Sequence, residues 1–260
     1  MAINKEFPIL EHDPDGKPIS DAAGYAIYKS KRRVVKRAIF TYFTEVVDQL
    51  ERQLKLNQAF RLRTEGHRPR VYEMLDESGE FVYVLPMPLG APQAARMMEI
   101  LAGNGVEKFM VCGGCGTFDN EKTKDHVLVP VAAVRDEGTS YHYLPPSREI
   151  EINPVVLKVI EETLKSEGVT YVPVKTWTTD ASFRSTENKV KTRKAEGCSV
   201  VEMECSAFYS VAKAKKLLCG QLLYAGDHVT QDGWDYRDWH NRTEKRIGLF
   251  DLAVKCLMKL

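Results

Sequence analysis

Three stretches of this 260-residue chain place chemistry-bearing side chains where a core strand would hold aliphatic ones. The first is Glu202-Met203-Glu204, which follows "CSVV" and precedes the apolar run "CSAFYSVA". On an extended strand, residues 202 and 204 point to one face and Met203 to the other. Two buried carboxylates on one face are costly without partners. A strand end that has surfaced, with both acids in water, is the plain alternative, and the apolar run that follows weighs against it. A carboxylate accepts on both oxygens, which suits it to two neighbouring hydroxyls of a sugar. The second stretch is "GQLLYAGD", whose Asp227 reads as an N-cap or Asx-turn residue, or as an acid that protonates or hydrogen-bonds a leaving group. The third is "MVCGGCGTFD", from Met110 to Asp119, where Cys112 and Cys115 raise the question of thiol chemistry.

That question has a structural answer in the sequence itself. A tetrahedral zinc needs two further ligands, and the remaining cysteines (Cys198, Cys205, Cys219, Cys256) form no second CxxC pair. Redox chemistry of the thioredoxin type needs the pair at the head of a helix, and a glycine-rich run is a poor helix start. The stretch is expected to be a glycine turn at a strand end, where bare backbone N–H groups can approach an anion or an oxygen-rich ligand. The six cysteines are expected to be buried free thiols, and neither a metal nor an organic cofactor is called for.

Composition removes whole classes of function. With 37 basic and 36 acidic residues the chain is nearly neutral, which favours neither nucleic acid nor an anionic membrane. The basic cluster "KSKRRVVKR" (29–37) runs into an apolar segment and reads as a solvated entrance to a helix or strand. No apolar run reaches the ~20 residues of a membrane span, and the N-terminal residues lack a signal peptide's apolar core, so a cytoplasmic protein is expected.

The elements that must hold these residues alternate. Strands are expected at "RAIFTY", "FVYVLP", "EKFMVC", "HVLVPVAAV", "VTYVPVKTWTTD", "CSVVEME" and "GQLLYAGD". Helices are expected from Glu45 to Asn57, after "PLGAP", from Pro154 to Gly168, at "CSAFYSVAKAKK" and at "RIGLFDLAVKCLMKL". With no linker or repeat, the reading is one α/β domain over 1–260 with a mixed sheet, in which ligands collect at the carboxyl ends of strands.

Taken in order, "PLGAPQAARMMEIL", "CGGCG", "LVPVAAVRDEGTSYHY", "TTDASFR", "SVVEMECSAFYSVA" and "LLYAGDHV" resemble the nucleoside phosphorylase and nucleosidase superfamily, across residues 80 to 230. That family includes uridine phosphorylase, the hexameric bacterial purine nucleoside phosphorylases and methylthioadenosine nucleosidase. The resemblance implies a mixed sheet partly closed into a barrel and wrapped by helices, assembled as a dimer or trimer of dimers, with residues 1–36 a diverged N-terminal extension. It implies that Glu204 binds the ribose hydroxyls, Met203 packs on the sugar and Glu202 supports the base side. Gly113, Gly114, Cys115 and Gly116 would lie beneath sugar and phosphate, Thr179, Ser182 and Phe183 would line the base pocket, and Asp227 would be the acid at a purine base.

The departures from the family pattern bear on the reaction. Val111 stands where phosphorylases carry a phosphate-binding arginine, and Gly114 where they carry Thr or Ser. "FTYFTEVV" replaces the Gly-Asp-Pro-x-Arg loop, and Pro88 replaces a glycine. The residues that read uracil would fall at Thr186 and Asn188, neither of which replaces an arginine's charge and donors. Arg61, Arg63 and Arg135 are possible anion ligands, and Arg242 and Arg246 possible helpers of Asp227. The expected activity is phosphorolysis of a purine nucleoside with phosphate as co-substrate. The alternatives are a hydrolase on the same scaffold and a nucleoside-binding protein without catalysis.

Overall fold

The computed structural model describes residues 4–14, 16–20, 22, 34–62, 68–230, 233–237 and 241–260. Arg63 and basic residues 29–33 lie outside them. Before the first strand, a 3-10 turn at Pro8–Leu10 lays Phe7, Ile9 and Leu10 along a cleft of about 410 Å³ shared with Arg135, Glu137, Tyr141 and Asp180.

The strands form one mixed sheet. β1 (Arg37–Thr41) lies between two parallel neighbours, β4 (Phe81–Pro86) and β5 (Lys108–Thr117). Strands covered on both faces read as continuous apolar runs, which is why "AIF" and "VYVL" were legible. β5 continues in parallel pairing with β10 (Leu218–Thr230) from Leu218↔Lys108 to His228↔Thr117. β6 (Val127–Asp136), β8 (Tyr171–Thr179) and β9 (Cys198–Glu202) join β10 back to β5, so five strands close a ring. Every ring strand contributes to its filling: Cys115, Leu128, Val174, Val200, Leu223 and Ala225.

Around this sheet pack α1 (Thr44–Arg52), α2 (Ala91–Gly103), α4 (Pro154–Ser166), α6 (Cys205–Lys215) and α7 (Thr243–Lys259). The helix expected to run to Asn57 stops at Arg52, because Leu54 takes φ +57° and Asn57 opens a strand. Beyond the elements expected from sequence, the fold contains β2 (Asn57–Arg61), β3 (Arg70–Leu75), the short α3 (Asn120–Thr123), β7 (Glu149–Glu151), α5 (Glu187–Ala195) and β11 (Gly233–Asp235).

The glycine segment is strand, not turn. Gly113, Gly114 and Gly116 sit inside β5, and large side chains cross them. A Cβ at Gly113 would meet the Tyr42 ring at 3.0 Å, one at Gly114 the Tyr224 ring at 3.3 Å, and one at Gly116 Val201 at 3.0 Å and Val229 at 3.1 Å. Glycine in a strand interior marks such close approach. Cys112 and Cys115, three apart on a strand, leave opposite faces, and all six cysteines are free and buried.

Gly220 on β10 is the tightest point of the helix–sheet contact. A Cβ there would lie 2.7 Å from Ile160 Cδ1, 2.8 Å from Val156 Cγ1 and 2.9 Å from Met110 Sδ. Overpacking a core costs ~1–3 kcal/mol. Gly220→Ala is therefore expected to lower the unfolding free energy by that amount, read as a lower urea midpoint with an unchanged slope; an unaltered midpoint would show that α4 yields freely.

Candidate functional site

The site is assembled at the carboxyl ends of β1, β4, β5 and β8, together with the ends of β9 and β10. Thr41 aligns with Pro86 on β4 and Cys112 on β5. Beyond these, Tyr42 N donates to Cys112 O at 3.2 Å and Met87 N to Thr41 O at 2.8 Å. The chain then turns at Gly90, whose φ of +103° suits glycine and aims its N–H at Glu204 Oε1, 2.6 Å away.

Glu202 and Glu204 are both buried, at 6 % and 4 % exposure, but they do not share a strand face. β9 ends at Glu202, and Glu204 is the residue that leads into α6. The chain bends there because the Glu202 carboxylate takes the start of α6: it accepts from Glu204 N (2.8 Å) and Cys205 N (2.6 Å). It also accepts from Thr178 Oγ1 (2.5 Å) and Thr176 Oγ1 (3.2 Å), whose side chains share one face of β8. Glu202 thus holds the site in shape. Thr178 Oγ1 further accepts from Ser206 N, and Ser206 Oγ donates to Glu137 Oε1, extending the network.

Burial raises both carboxyls. Four donors pull Glu202 back toward its ionised form, so the charge of the pair rests there. Burial and that charge push Glu204 up to about 8.

Asp227 is placed by an irregularity. The β5–β10 ladder slips between Ala225 and Asp227, so that Asp227 faces Gly116. Burial raises its carboxyl, and the Trp234 indole N–H, which donates to Oδ2, pulls it down, as does Arg237. Cys115 lies within reach of both ends of the site. Its thiol is pushed up by burial first, then by Asp227 and Glu202.

Of the base-side residues, Ser182 Oγ donates to Met203 Sδ at 3.2 Å and Thr179 is buried. Phe183 is 88 % exposed. The arginines fare differently from expectation. Arg135, an anion-ligand candidate by sequence, is buried and donates to Ser140 Oγ, Pro145 O, Ser147 Oγ and Leu144 O. Arg246 does not reach Asp227 by any of the bonds described: it donates to Tyr224 Oη (2.9 Å) and pairs with Glu45. Arg242 donates to the Arg237 carbonyl, and exposed Arg61 to Gln58. The cation acting on Asp227 is Arg237, which sequence reasoning missed. Trp234, Tyr42, Thr176 and Thr178 were missed as well, although the alternation in "KTWTT" could have flagged the two threonines. Tyr42 Oη is buried without a hydrogen-bond partner.

Residues 36–254 match the family model described as the phosphorylase superfamily. The chain belongs to the phosphorylase superfamily. Its relatives are distant. An uncharacterized protein, R802, of Acanthamoeba polyphaga mimivirus is 24 % identical over 205 residues, 78 % of this chain and 79 % of that one. The DeoD-type 1 purine nucleoside phosphorylase of Shewanella oneidensis is 28 % identical over 145 residues, 55 % of this chain and 61 % of the enzyme, so the match spans less than two thirds of it. Among solved structures, AMP nucleosidase from Bacteroides thetaiotaomicron superposes with a TM-score of 0.69 at 20 % identity, over 91 % of this chain and 95 % of that one. Futalosine hydrolase of Helicobacter pylori superposes with a TM-score of 0.69 at 13 % identity, over 87 % and 99 %. These share the fold, a mixed sheet partly closed into a ring and surrounded by helices. The superfamily joins nucleoside phosphorylases and nucleosidases. No helix among the described residues is long and apolar enough to cross a membrane.

In this superfamily member the raised Glu204 carboxyl makes stability depend on pH. The folded protein binds a proton that the unfolded chain, near 4.5, releases, so the contribution is complete below about pH 4.5 and is lost as pH rises toward 8. Urea midpoints are expected to fall from about pH 5 to pH 8, and Glu204→Gln, which cannot ionise, to flatten that part of the fall. A Glu204→Gln slope equal to wild type would place the proton elsewhere.

Proposed function

We propose that the chain cleaves the N-glycosidic bond of a purine ribonucleoside. Glu204 holds the ribose hydroxyls, Met203 lies against the sugar, and Asp227 gives a proton or hydrogen bond to the departing base. The observation that carries this reading is the pair of raised carboxyls, Glu204 just past the end of β9 and Asp227 near the end of β10, on two strands of one ring. Breaking the bond builds positive charge on the sugar and negative charge on the base. An acid beside the base and a rigid hold on the ribose both act more strongly in that transition state than in the ground state.

Water is favoured over phosphate as acceptor. Val111 is fully buried in the apolar core. Arg135, Arg242 and Arg246 are each engaged with protein acceptors. Phosphorolysis remains the alternative that the Shewanella relative's name suggests.

Chromatography of purine nucleoside reactions decides the matter. Free base and ribose are expected at equal rates with and without phosphate; a strict phosphate requirement with ribose 1-phosphate as product would assign phosphorolysis. Asp227→Asn is expected to lower kcat by about 10²- to 10⁴-fold with little change in KM. Wild-type protein that binds nucleosides but releases no base would leave only a binding role.

A further inference from the structure

The acid at the base side has an aromatic neighbour that no motif announces. β11 folds back antiparallel on the end of β10, pairing Asp235 with His228 and Trp234 with Val229. This brings the Trp234 indole N–H onto Asp227 Oδ2. One face of the indole packs on Tyr236, with ring centroids 4.2 Å apart and planes inclined by 31°. The two rings are still 47 % and 54 % exposed, so aromatic surface stands open beside the acid. The other carboxylate oxygen, Oδ1, looks over Gly116, 3.5 Å from where a Cβ would sit. Gly116 is itself covered by the Val201 and Val229 side chains, so the side of Asp227 on which a flat group finds exposed surface is that of the indole. Phe183, expected to line the base pocket, is almost wholly in solvent.

We propose that the substrate's base stacks on Trp234, and that the indole N–H holds Asp227 until the base arrives. This rests on the nucleoside reading above. A planar heterocycle with an in-plane nitrogen acceptor fits a site that offers a flat ring and an acid at that ring's edge, and a bicyclic purine covers more of the indole than a pyrimidine does. The N–H favours ionised Asp227. Moving the indole onto the base removes that donor and leaves Asp227 readier to take the proton it must deliver. The other groups acting on Asp227 are Arg237, which favours the charge, Asp235, which opposes it, and the Cys115 thiol of β5. His228 is its chain neighbour.

The test uses the full chain with Trp234→Phe and Trp234→Leu, and adenosine and uridine as probes. Trp177 and Trp239 are the other two tryptophans, so the Trp234→Phe protein isolates the signal. Adenosine is expected to quench wild-type fluorescence saturably, and Trp234→Phe to remove that quench. Trp234→Leu is expected to weaken adenosine binding, measured by calorimetry, on the order of 10-fold, and uridine binding less. Trp234→Phe, which keeps a ring but loses the N–H, is expected to carry base release to higher pH with little change in KM. Equal quenching in wild type and Trp234→Phe, or wild-type adenosine affinity in a folded Trp234→Leu, overturns the proposal. If Trp234→Leu fails to fold, Trp234→Phe decides alone. Quenching without base release at any pH sinks the catalytic reading and leaves the stacking role standing; base release with an unresponsive Trp234 sinks this proposal only.

Discussion

A carboxylate buried at the start of a helix must be met by donors, and Glu202 is met by four: two backbone N–H groups that open α6 and two hydroxyls from β8. The rest of the site depends on that set of bonds. It ties β8 to β9, ends β9 at residue 202 and fixes where α6 begins. A helix N-terminus favours a negative charge, so Glu202 carries it. Glu204, displaced from the strand, is left beside that charge with Gly90 N–H as a donor from the turn before α2. One carboxylate is used to build, and its charge keeps the other available to a ligand.

The second constraint is the long parallel contact of β5 with β10. Three glycines in β5 let the Tyr42 and Tyr224 rings and two valines close over the strand, and the slip between Ala225 and Asp227 turns the last carboxylate onto Gly116. The ring of strands thereby brings Asp227 from one side and Glu202 from another to within electrostatic reach of the same buried thiol, Cys115. Glu204 and Asp227, the two residues given the sugar and base roles in the proposal, lie 23 positions apart in sequence, just past β9 and near the end of β10, two strands of the same ring.

Much of this was legible. Parallel strands buried on both faces leave unbroken apolar runs, and the two glutamates and the aspartate stood out against such runs. The β2–β3 pair was not legible, because edge strands carry exposed polar residues: β2 buries only Phe60 outright. α5, "ENKVKTRKA", buries only Val190 and Arg193 and shows little periodicity. The glycine stretch was misread because a turn and a strand crossed by large rings demand the same residue. Trp234 and Arg237 could not be found, since their roles arise from a fold-back of β11 that no local pattern encodes. The pairing of Arg246 with Glu45 was hidden for a similar reason: the two lie 201 positions apart.

The same electrostatics bear on the choice of acceptor. At the end of β1 stands Tyr42, its hydroxyl sealed without a partner and pushed well up, chiefly by burial and then by the neighbouring Glu204 and Glu202 carboxyls. An environment that resists ionising a phenol and holds Glu204 protonated resists a phosphate dianion by the same physics. Phosphate would need cations there. Val111 offers none, and Arg246, which stacks on Phe43 and Tyr224, already neutralises Glu45. A neutral water carries no such requirement, so the environment that keeps Glu204 protonatable supports the proposal that water rather than phosphate is the acceptor.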